Sequence, residues 1–556
     1  MMVAAMRSIS AGIVAVLVCA GLTHAQGGAE RIQSSDLLAG LSSAGRWATF
    51  SGDYTGQRHS PLSQITPANV GNLKEQWVFD STLPVAGRGT EATPLSFGGR
   101  LYLTGQAGHA WAIDARTGKP EWTYRREYPS GMVNCCGAIS RGFGVLGDTL
   151  YMGTIDARLV ALNVNDGTVR WESPVADGSK GYSITMAPLV VKDRVIVGVS
   201  GSEYPTRGFI DAYNARTGDR EWRFYTVPAP GEAGSETWPT AAAMAIGGGG
   251  VWVAGSYDPD LNLVFYGTGN PNPAYYGQDR KGDNLYTSSL VALDVDTGKL
   301  RWHYQFTPHD LHDWDAAQVP VLATLPLKQG PTKVVMAANR NGLFYVLDRA
   351  TGKVLLARPF VQTAWAKGVD ANGRLIILND LGSADACIPD HRGATNFPPP
   401  SYDPARGLFF VTARETCAVY TPGPPNQPPP DRVSMTMGRG PLRVDGVDSY
   451  MVLRALDATT GEKKWDVKYT ALPSTRMMAF GGGVLSTAAG LVFASDDEGN
   501  FRAVNSADGR VLWQAQLGAS PAGAAPMTYM LDGRQWIVTA VGSTLRAFAL
   551  PVKQGQ

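Results

Sequence analysis

The chain has 556 residues and a formal net charge of +1, and only 17% of its residues are charged. Such a balanced charge argues against binding to nucleic acid or to a partner with an acidic surface, because either partner would require a basic patch on this protein. Glycine is abundant at 65 residues, and tryptophan is frequent at 14. A chain of this length normally divides into several domains, but the repeat described below favours a single one.

The first residues have the pattern of a secretory signal peptide. Arg7 closes a short charged start, residues 11–22 are apolar, and Thr23-His24-Ala25 resembles a cleavage site. The apolar run is too short for a membrane span. We therefore predict a signal peptide over residues 1–25, a mature chain over residues 26–556, and export to the periplasm, where disulfides form.

Four cysteines remain after the predicted cleavage, an even number that fits two disulfides: Cys135, Cys136, Cys387 and Cys417. Adjacent cysteines bind a metal cluster, oxidise to each other, or stay buried and reduced. A cluster is disfavoured because the chain contains no CxxC or CxxCH and the nearest histidine is His109. The other two cysteines flank a long loop, which a disulfide between them would hold closed.

A short turn pattern recurs seven times, with an Asp or Asn, then Thr-Gly or Asp-Gly, and then a tryptophan. Its glycines are Gly118, Gly167, Gly218, Gly298, Gly352, Gly461 and Gly509. The fifth copy has Ala357 where the tryptophan is expected. Trp122, Trp171 and Trp222 are spaced by about 50 residues, a period typical of solenoids and propellers.

Each copy has the chemistry of a β-hairpin, since an apolar strand enters the turn and a second strand leaves it with the tryptophan. Four short strands per copy make one propeller blade. An eighth blade is assembled from residues 73–79 and 545–550 at the two ends. We therefore predict an all-β fold, a single eight-bladed β-propeller. The long intervals Trp222–Trp302 and Ala357–Trp465 indicate insertions, which in repeat proteins form functional loops, and Pro422–Pro430 is predicted to be exposed and irregular.

An exported propeller with tryptophan-bearing repeats and adjacent cysteines resembles the quinoprotein alcohol dehydrogenases of the methanol and ethanol type, which use pyrroloquinoline quinone (PQQ). The resemblance extends from Trp47 to the last blade. It implies that Cys135 and Cys136 form a disulfide against one face of PQQ and that Trp252 covers the other. It also implies metal-assisted hydride transfer from an alcohol to PQQ, which gives an aldehyde or a ketone.

The resemblance carries further site residues over to this sequence. Arg141 matches an arginine that pairs with a PQQ carboxylate, and Arg340 matches the basic residue near the reactive carbonyls. The remaining cofactor contacts that it implies are Glu91, Thr185, Ser200, Gly201, Ser202 and Asn396. Glu203 and Asn270 match metal ligands. Singly, each residue has an ordinary structural explanation, such as a turn for Asn270 or a blade filler for Trp252; the signal lies in their order and spacing.

The loop Pro308-His309-Asp310-Leu311-His312-Asp313-Trp314-Asp315 allows two alignments on the family. Without gaps, Asp313 takes the place of the catalytic base, and Asp315 becomes an extra carboxylate of the kind found in lanthanide-using members. A trivalent ion favours that additional negative oxygen ligand. If Trp314-Asp315 is aligned instead, Asp315 is the base and no extra carboxylate exists. The ungapped alignment is favoured and predicts a calcium or lanthanide ion held by Glu203, Asn270, Asp313 and Asp315.

Three departures from the family bear on substrate and partners. Phe480-Gly481-Gly482 stands where the family often has Trp-Gly-Gly, and little sequence follows the last blade, so we expect a roomier substrate entrance. Without a CxxCH haem motif, electrons are expected to leave to a separate acceptor such as a soluble cytochrome c. The alternative function is a non-enzymatic propeller scaffold of the cell envelope, which would have no need for the residues collected above.

Overall fold

The computed structural model describes residues 30–83, 89–383, 385–425, 433–444, 446–472, 479–518, 520 and 523–552. The predicted signal peptide and most of the Pro-rich segment lie outside these residues. The described chain is built mainly from short antiparallel strands with little helix. The helices are α1 (Ser34–Ala39), α2 (Ala241–Ala245) and the short 3-10 segments Gly40–Ser42, Val70–Asn72, Gln106–Gly108, Gly178–Lys180, Ser235–Thr237 and Gln278–Arg280.

The strands of the first half form four sheets of four strands each, after two separate strands near the start. The separate strands are β1 (His59–Ser60) and β2 (Lys74–Asp80). Blade 1 consists of β3 (Leu95–Phe97), β4 (Arg100–Thr104), β5 (His109–Asp114) and β6 (Pro120–Arg125). Blade 2 consists of β7 (Gly144–Leu146), β8 (Thr149–Gly153), β9 (Arg158–Asn163) and β10 (Val169–Pro174). Blade 3 consists of β11 (Leu189–Val191), β12 (Arg194–Gly198), β13 (Phe209–Asn214) and β14 (Arg220–Tyr225). Blade 4 consists of β15 (Ser256–Asp258), β16 (Leu263–Gly267), β17 (Ser289–Asp294) and β18 (Leu300–Gln305).

The second half adds four more blades and two small inserted hairpins. Blade 5 consists of β19 (Val321–Leu327), β20 (Gly330–Ala338), β21 (Leu343–Asp348) and β22 (Val354–Pro359), and a hairpin of β23 (Ala366–Val369) and β24 (Leu375–Ile377) follows. Blade 6 consists of β25 (Ser401–Asp403), β26 (Leu408–Glu415), β29 (Tyr450–Asp457) and β30 (Lys463–Ala471), with the insert β27 (Ala418–Val419) and β28 (Leu442–Arg443). Blade 7 consists of β31 (Val484–Thr487), β32 (Leu491–Ser495), β33 (Asn500–Asn505) and β34 (Val511–Gln516). Blade 8 contains β35 (Met527–Leu531), β36 (Arg534–Val541) and β37 (Thr544–Ala549).

The two ends of the chain meet in blade 8. Strand β2 pairs antiparallel with β37, and Trp77 lies opposite Ala547. Strand β1 adds to blade 7 by pairing parallel with β31. The predicted eight-bladed propeller is therefore confirmed, including the blade shared by both ends, and this pairing closes the ring and protects its edges.

The repeated turns join neighbouring blades. A tryptophan such as Trp122 donates its indole N–H to the Val164 carbonyl of the next blade at 3.0 Å. The same ring lies against Gly167, where a β-carbon would come within 2.7 Å of the indole. Gly167 also has a φ of +73°, which a residue with a side chain rarely adopts. The turn glycine is thus required both by its backbone and by the tryptophan that packs on it.

The fifth copy departs from the prediction by one residue. Leu356, not Ala357, occupies the tryptophan position, because it lies opposite Val346 as Trp122 lies opposite Ala112. Leu356 and Arg358 both contact the next turn glycine, Gly461. In the other six copies the tryptophan follows the turn glycine by four residues, and Leu356 stands at that spacing from Gly352, so the sequence already contained the correct register.

The longest connections within and between blades are residues 226–255, 268–288, 360–400 and 416–449, within the two intervals predicted to hold insertions. In the part of the chain that the structure describes, no helix has the length and apolar character needed to cross a membrane.

Candidate active site

The propeller topology brings distant segments to one face of the ring. Connections between strands 2 and 3 of a blade, and connections from one blade to the next, emerge on the same face of an up-and-down sheet. All the predicted site residues described below lie on such connections. The turns with the Gly–Trp contacts join strands 3 and 4 and therefore lie on the opposite face.

A cavity opens among these connections, and its wall combines charged, polar and aromatic side chains, as in many small-molecule sites. Most of the predicted site residues line it: Cys135, Cys136, Arg141, Thr185, Ser200, Gly201, Ser202, Glu203, Trp252, Asp313, Asp315, Arg340 and Asn396. Phe480, predicted to shape the entrance, also lines it. Glu91 and Asn270 stand behind this lining and contact residues within it.

A disulfide joins Cys135 to Cys136 and forms part of the cavity wall. A Glu203 carboxylate oxygen and the two sulfur atoms lie within 4.8 Å of one another. Because both cysteines are oxidised, they are not thiolate ligands for a metal. A second disulfide joins Cys387 to Cys417. Cys387 lies on the connection before blade 6, and Cys417 lies just after the second strand of that blade.

Arg141 organises one side of the cavity. Its guanidinium forms a buried ion pair with Glu91 at 2.7 Å and donates to the Thr185 hydroxyl at 2.9 Å. The same group lies 4.9 Å from the Trp252 ring centre and 4.8 Å from that of Phe397. Glu91 thus positions Arg141 from behind, and the cation–π contacts orient the aromatic wall.

Asp315 is held by three donors. Its Oδ2 accepts from Trp252 Nε1 at 3.0 Å and from Arg340 Nη1 at 2.7 Å, and its Oδ1 accepts from the Asn270 backbone N–H. Asp313 is held more loosely, at 3.4 Å from the Tyr275 hydroxyl and 3.7 Å from Arg340. Among the described residues, Asp313 Oδ1 has no hydrogen-bond partner, so this oxygen is available to a bound molecule.

The loop that carries both carboxylates is irregular, without helix or strand between residues 306 and 320. Asp313 has a φ of +64°, a left-handed conformation that Asp tolerates better than most residues. The preceding turn is fixed because Asp310 accepts from the backbone N–H groups of His312 and Trp314, both at 2.9 Å. This bend lets residues two apart reach one cavity.

The carboxyl groups in the cavity resist ionisation together. Burial raises the pKa of Glu203 to about 7, and the charge of Asp315 adds to the rise. Burial also raises the pKa of Asp313 well above its usual range, against the opposing charge of Arg340. The pKa of Asp315 rises for the same cause. A cation bound among them would favour their charged forms.

The chemistry of the donor set suits a hard cation, although the carboxylate oxygens of Glu203, Asp313 and Asp315 do not all lie within 4.8 Å of one another. In the described structure, the buried Asn270 Oδ1 has no hydrogen-bond partner, although buried polar atoms nearly always have one. Asn270 is bonded to Asp315, whose charge acts on Glu203. Amide and carboxylate oxygens are the ligands that calcium-sized ions prefer. Two guanidinium groups and an aromatic wall equally suit a flat anionic cofactor.

Sequence reasoning missed several residues of this site. Ile139, Arg392 and Phe397 line the cavity, and Tyr275 contacts Asp313. These residues lie on inserted or irregular connections with no periodic pattern. The Phe397 position follows Asn396 directly, and this adjacency was the one signal that could have found it.

The comparisons with known proteins agree with this geometry. The family model for the β-propeller domain of PQQ-dependent glucose/ethanol/alcohol dehydrogenases matches residues 47–363 and 449–537. Quinohemoprotein alcohol dehydrogenase ADH-IIG of Pseudomonas putida is 36% identical over 544 residues, which cover 92% of this chain and 74% of that protein.

Two further proteins show the range of relatives. The lanthanide-dependent methanol dehydrogenase of Methylacidiphilum fumariolicum is 34% identical over 537 residues, 90% of this chain and 85% of that protein. The crystal structure of quinohemoprotein alcohol dehydrogenase from Comamonas testosteroni superposes with a TM-score of 0.84 at 32% identity, covering 95% of this chain and 84% of that one.

Proposed function

The chain belongs to the PQQ-dependent quinoprotein alcohol dehydrogenase family, and we propose that it is a periplasmic enzyme that oxidises an alcohol to an aldehyde or a ketone. One observation carries the proposal: a single cavity gathers a disulfide of adjacent cysteines, an indole ring, three carboxyl groups and Arg340. A propeller that served only as a scaffold would gain nothing from burying so many charges together.

Two sets of cavity residues would hold PQQ and the cation. Arg141, Thr185, Ser200, Gly201, Ser202 and Asn396 would contact PQQ, together with the cysteine disulfide and Trp252. Glu203, Asn270, Asp313 and Asp315 would hold the cation. When bound, PQQ supplies a hydride-accepting carbonyl and the cation polarises that carbonyl as a Lewis acid.

Asp313 is the proposed general base. Its unpartnered Oδ1 accepts the hydroxyl proton of the alcohol while hydride leaves the adjacent carbon. Burial raises the pKa of Asp313, and a cation nearby would lower it, so that the carboxylate form is available. Arg340, fixed by Asp315 and by the His391 carbonyl at 2.6 Å, stabilises negative charge that grows at the reacting oxygen.

The metal is proposed to be a lanthanide, or calcium where lanthanide is scarce. Asp315 provides the additional carboxylate beside Glu203 and Asn270 that a trivalent ion favours. A relative named for lanthanide dependence supports this choice.

Export and a separate electron acceptor complete the proposal. The signal-peptide pattern and the two disulfides support the periplasm. The sequence has no CxxCH, so a soluble cytochrome c or a similar protein is proposed to take the electrons.

The test is reconstitution of the apo-protein. We expect dye-linked oxidation of alcohols only when PQQ and a metal are added, with lanthanum and calcium compared in parallel. NAD alone should give no turnover, since the sequence lacks a Gly-rich dinucleotide fingerprint. Turnover with NAD in the absence of PQQ would refute the proposed function.

A further inference from the structure

We propose that Tyr275 is a positioning residue for the general base: its hydroxyl holds one oxygen of the Asp313 carboxylate and leaves the other oxygen to take the proton of the alcohol. This inference rests on the proposed function and adds to it a residue that the family resemblance did not supply. Tyr275 lies on the connection between the second and third strands of blade 4.

The two oxygens of the Asp313 carboxylate have different surroundings. Its Oδ2 accepts from the Tyr275 hydroxyl at 3.4 Å and lies 3.7 Å from Arg340 Nη2. Its Oδ1 is buried and has no hydrogen-bond partner among the described residues, although buried polar atoms nearly always have one. Because both donors lie on the Oδ2 side, Oδ1 is the oxygen left for a substrate hydroxyl in the cavity that Asp313 lines.

The two neighbours of Oδ2 act differently. At 3.7 Å, Arg340 is beyond hydrogen-bond distance and acts through its charge. Its guanidinium is already bonded to Asp315 at 2.7 Å and to the His391 carbonyl at 2.6 Å. The Tyr275 hydroxyl is a directional donor, because a phenol keeps its proton at neutral pH. A distance of 3.4 Å is long for an O–H···O bond, and such contacts of a catalytic group often shorten when substrate binds.

The Tyr275 side chain is itself fixed by its surroundings. It is 5% exposed, and its ring packs edge-on against the His391 imidazole, with 6.3 Å between the ring centres. Its backbone N–H donates to the Met437 carbonyl at 2.7 Å, which ties the residue to the insertion of blade 6. A hydroxyl on so constrained a ring can orient a carboxylate, which is the support that a catalytic group needs.

Arg280 joins the segment of Tyr275 to the loop of Asp313. This arginine is 1% exposed, and its guanidinium donates to the Pro273 carbonyl at 3.0 Å, two residues before Tyr275. The same group donates to the Asp310 carbonyl at 2.5 Å, at the start of the turn that carries the base. One buried side chain therefore links the two backbones and fixes the distance between the hydroxyl and the carboxylate.

The experiment compares Tyr275→Phe, which removes only the hydroxyl, with the wild-type enzyme, both reconstituted with PQQ and lanthanum. Kinetics with 1-butanol give KM and kcat per bound PQQ, and titrations give the Kd of PQQ and of lanthanum. Tyr266→Phe is the matched control, because Tyr266 is buried in the same blade and its hydroxyl has no hydrogen-bond partner among the described residues. Normalisation to bound PQQ removes any misfolded fraction from the comparison.

Loss of a hydrogen bond to a charged group corresponds to about a tenfold change. In Tyr275→Phe, kcat should therefore fall about tenfold, while KM and the Kd of PQQ stay within twofold of the wild type, since the ring and the cavity wall are kept. A purely structural role would instead lower the amount of bound PQQ and leave kcat per bound PQQ unchanged. Tyr266→Phe should change none of these quantities more than twofold.

A second measurement does not depend on turnover. Crystal structures of both proteins with PQQ and lanthanum should show the Tyr275 hydroxyl bonded to Asp313 Oδ2 in the wild type and a rotated Asp313 carboxylate in Tyr275→Phe. The inference is overturned if the carboxylate keeps its orientation in the variant, or if kcat per bound PQQ stays within twofold of the wild-type value. A weaker Kd for lanthanum with an unchanged kcat at saturating metal would place the effect on the cation and overturn it as well.

A failure of the proposed function would look different, because the wild-type protein would then oxidise no alcohol. The two crystal structures would still decide the role of Tyr275 in that case.

Discussion

The two faces of the propeller ring are built differently. On the face with the turns between strands 3 and 4, neighbouring blades meet through one repeated contact between a tryptophan and a glycine, as at Trp122 and Gly167. On the face with the cavity, the connections differ in length and meet through buried charges such as Asp390 with Arg414 and Arg443.

This difference shows how the fold separates stability from chemistry. A repeated contact adds a similar small stabilisation at each blade interface, so the ring does not depend on any one of them. In a buried charge cluster, removal of one charged group leaves its partners buried and unpaired, which strongly destabilises the folded state. We therefore expect single substitutions to have larger effects on the cavity face than on the turn face.

The largest effect is expected at Asp313. Asp313→Asn keeps the shape of the side chain but cannot accept a proton, so kcat/KM should fall by about 10³-fold. PQQ binding, measured by titration, should change little, and metal affinity should fall less than turnover, because the Asn side chain keeps one oxygen ligand. Asp315→Asn is the matched comparison and should weaken the preference for lanthanum over calcium.

The opposite pattern would support the other alignment of the loop. If Asp315→Asn abolishes turnover with metal bound while Asp313→Asn retains more than a tenth of the activity, Asp315 is the base. Full activity with calcium alone and an unchanged metal preference in Asp315→Ala would contradict the lanthanide site.

The next effect concerns stability. Asp390→Asn should lower the free energy of unfolding by about 3–5 kcal/mol at neutral pH, because two buried arginines lose their shared partner. Burial raises the pKa of Asp390, but the charges of Arg414, His391 and Arg443 outweigh it and hold the pKa well below its usual value. Denaturant unfolding measures the difference between the two proteins.

The pH dependence of that difference has a definite sign. Since the folded pKa lies below the unfolded value of about 3.9, the ionised form stabilises the native state above that pH. The advantage of the wild-type protein over Asp390→Asn should therefore shrink as the pH falls below about 4. A constant difference down to pH 3 would show that the charge of Asp390 is not its cause.

The contrast between the faces also explains what could be predicted from the sequence. The turn face repeats, so its Gly–Trp spacing predicted the blades. The one error was Ala357, although Leu356 keeps the four-residue spacing from Gly352. The cavity face has no period, and its residues were identified through a family resemblance. That resemblance did not include Arg392, four residues before Asn396 on the same connection. It also could not place Glu91 behind Arg141, which depends on packing.

On the turn face, Gly167→Ala should cost about 3 kcal/mol. The new methyl group would meet the Trp122 ring at 2.7 Å, in addition to the strain of a positive φ. Gly533→Ala is the matched control, because Gly533 also has a positive φ of +74° but has no atom within 4 Å of the added methyl. Gly533→Ala should cost only about 1 kcal/mol. Equal losses in the two variants would mean that packing on the tryptophan contributes nothing.

The smallest effect is expected from Trp122→Phe. The phenyl ring keeps most of the apolar contact with Gly167 but leaves the Val164 carbonyl without its indole donor, at a cost of about 1 kcal/mol. Trp122 is 9% exposed, so water can replace only part of that hydrogen bond. Because the same contact recurs between other blades, the enzyme should keep its PQQ affinity and its kcat/KM within twofold. A free energy of unfolding that fell instead as far as in Asp390→Asn, with both variants unfolded by denaturant, would mean that one interface between blades controls the closure of the whole ring. That result would contradict the distinction between the two faces.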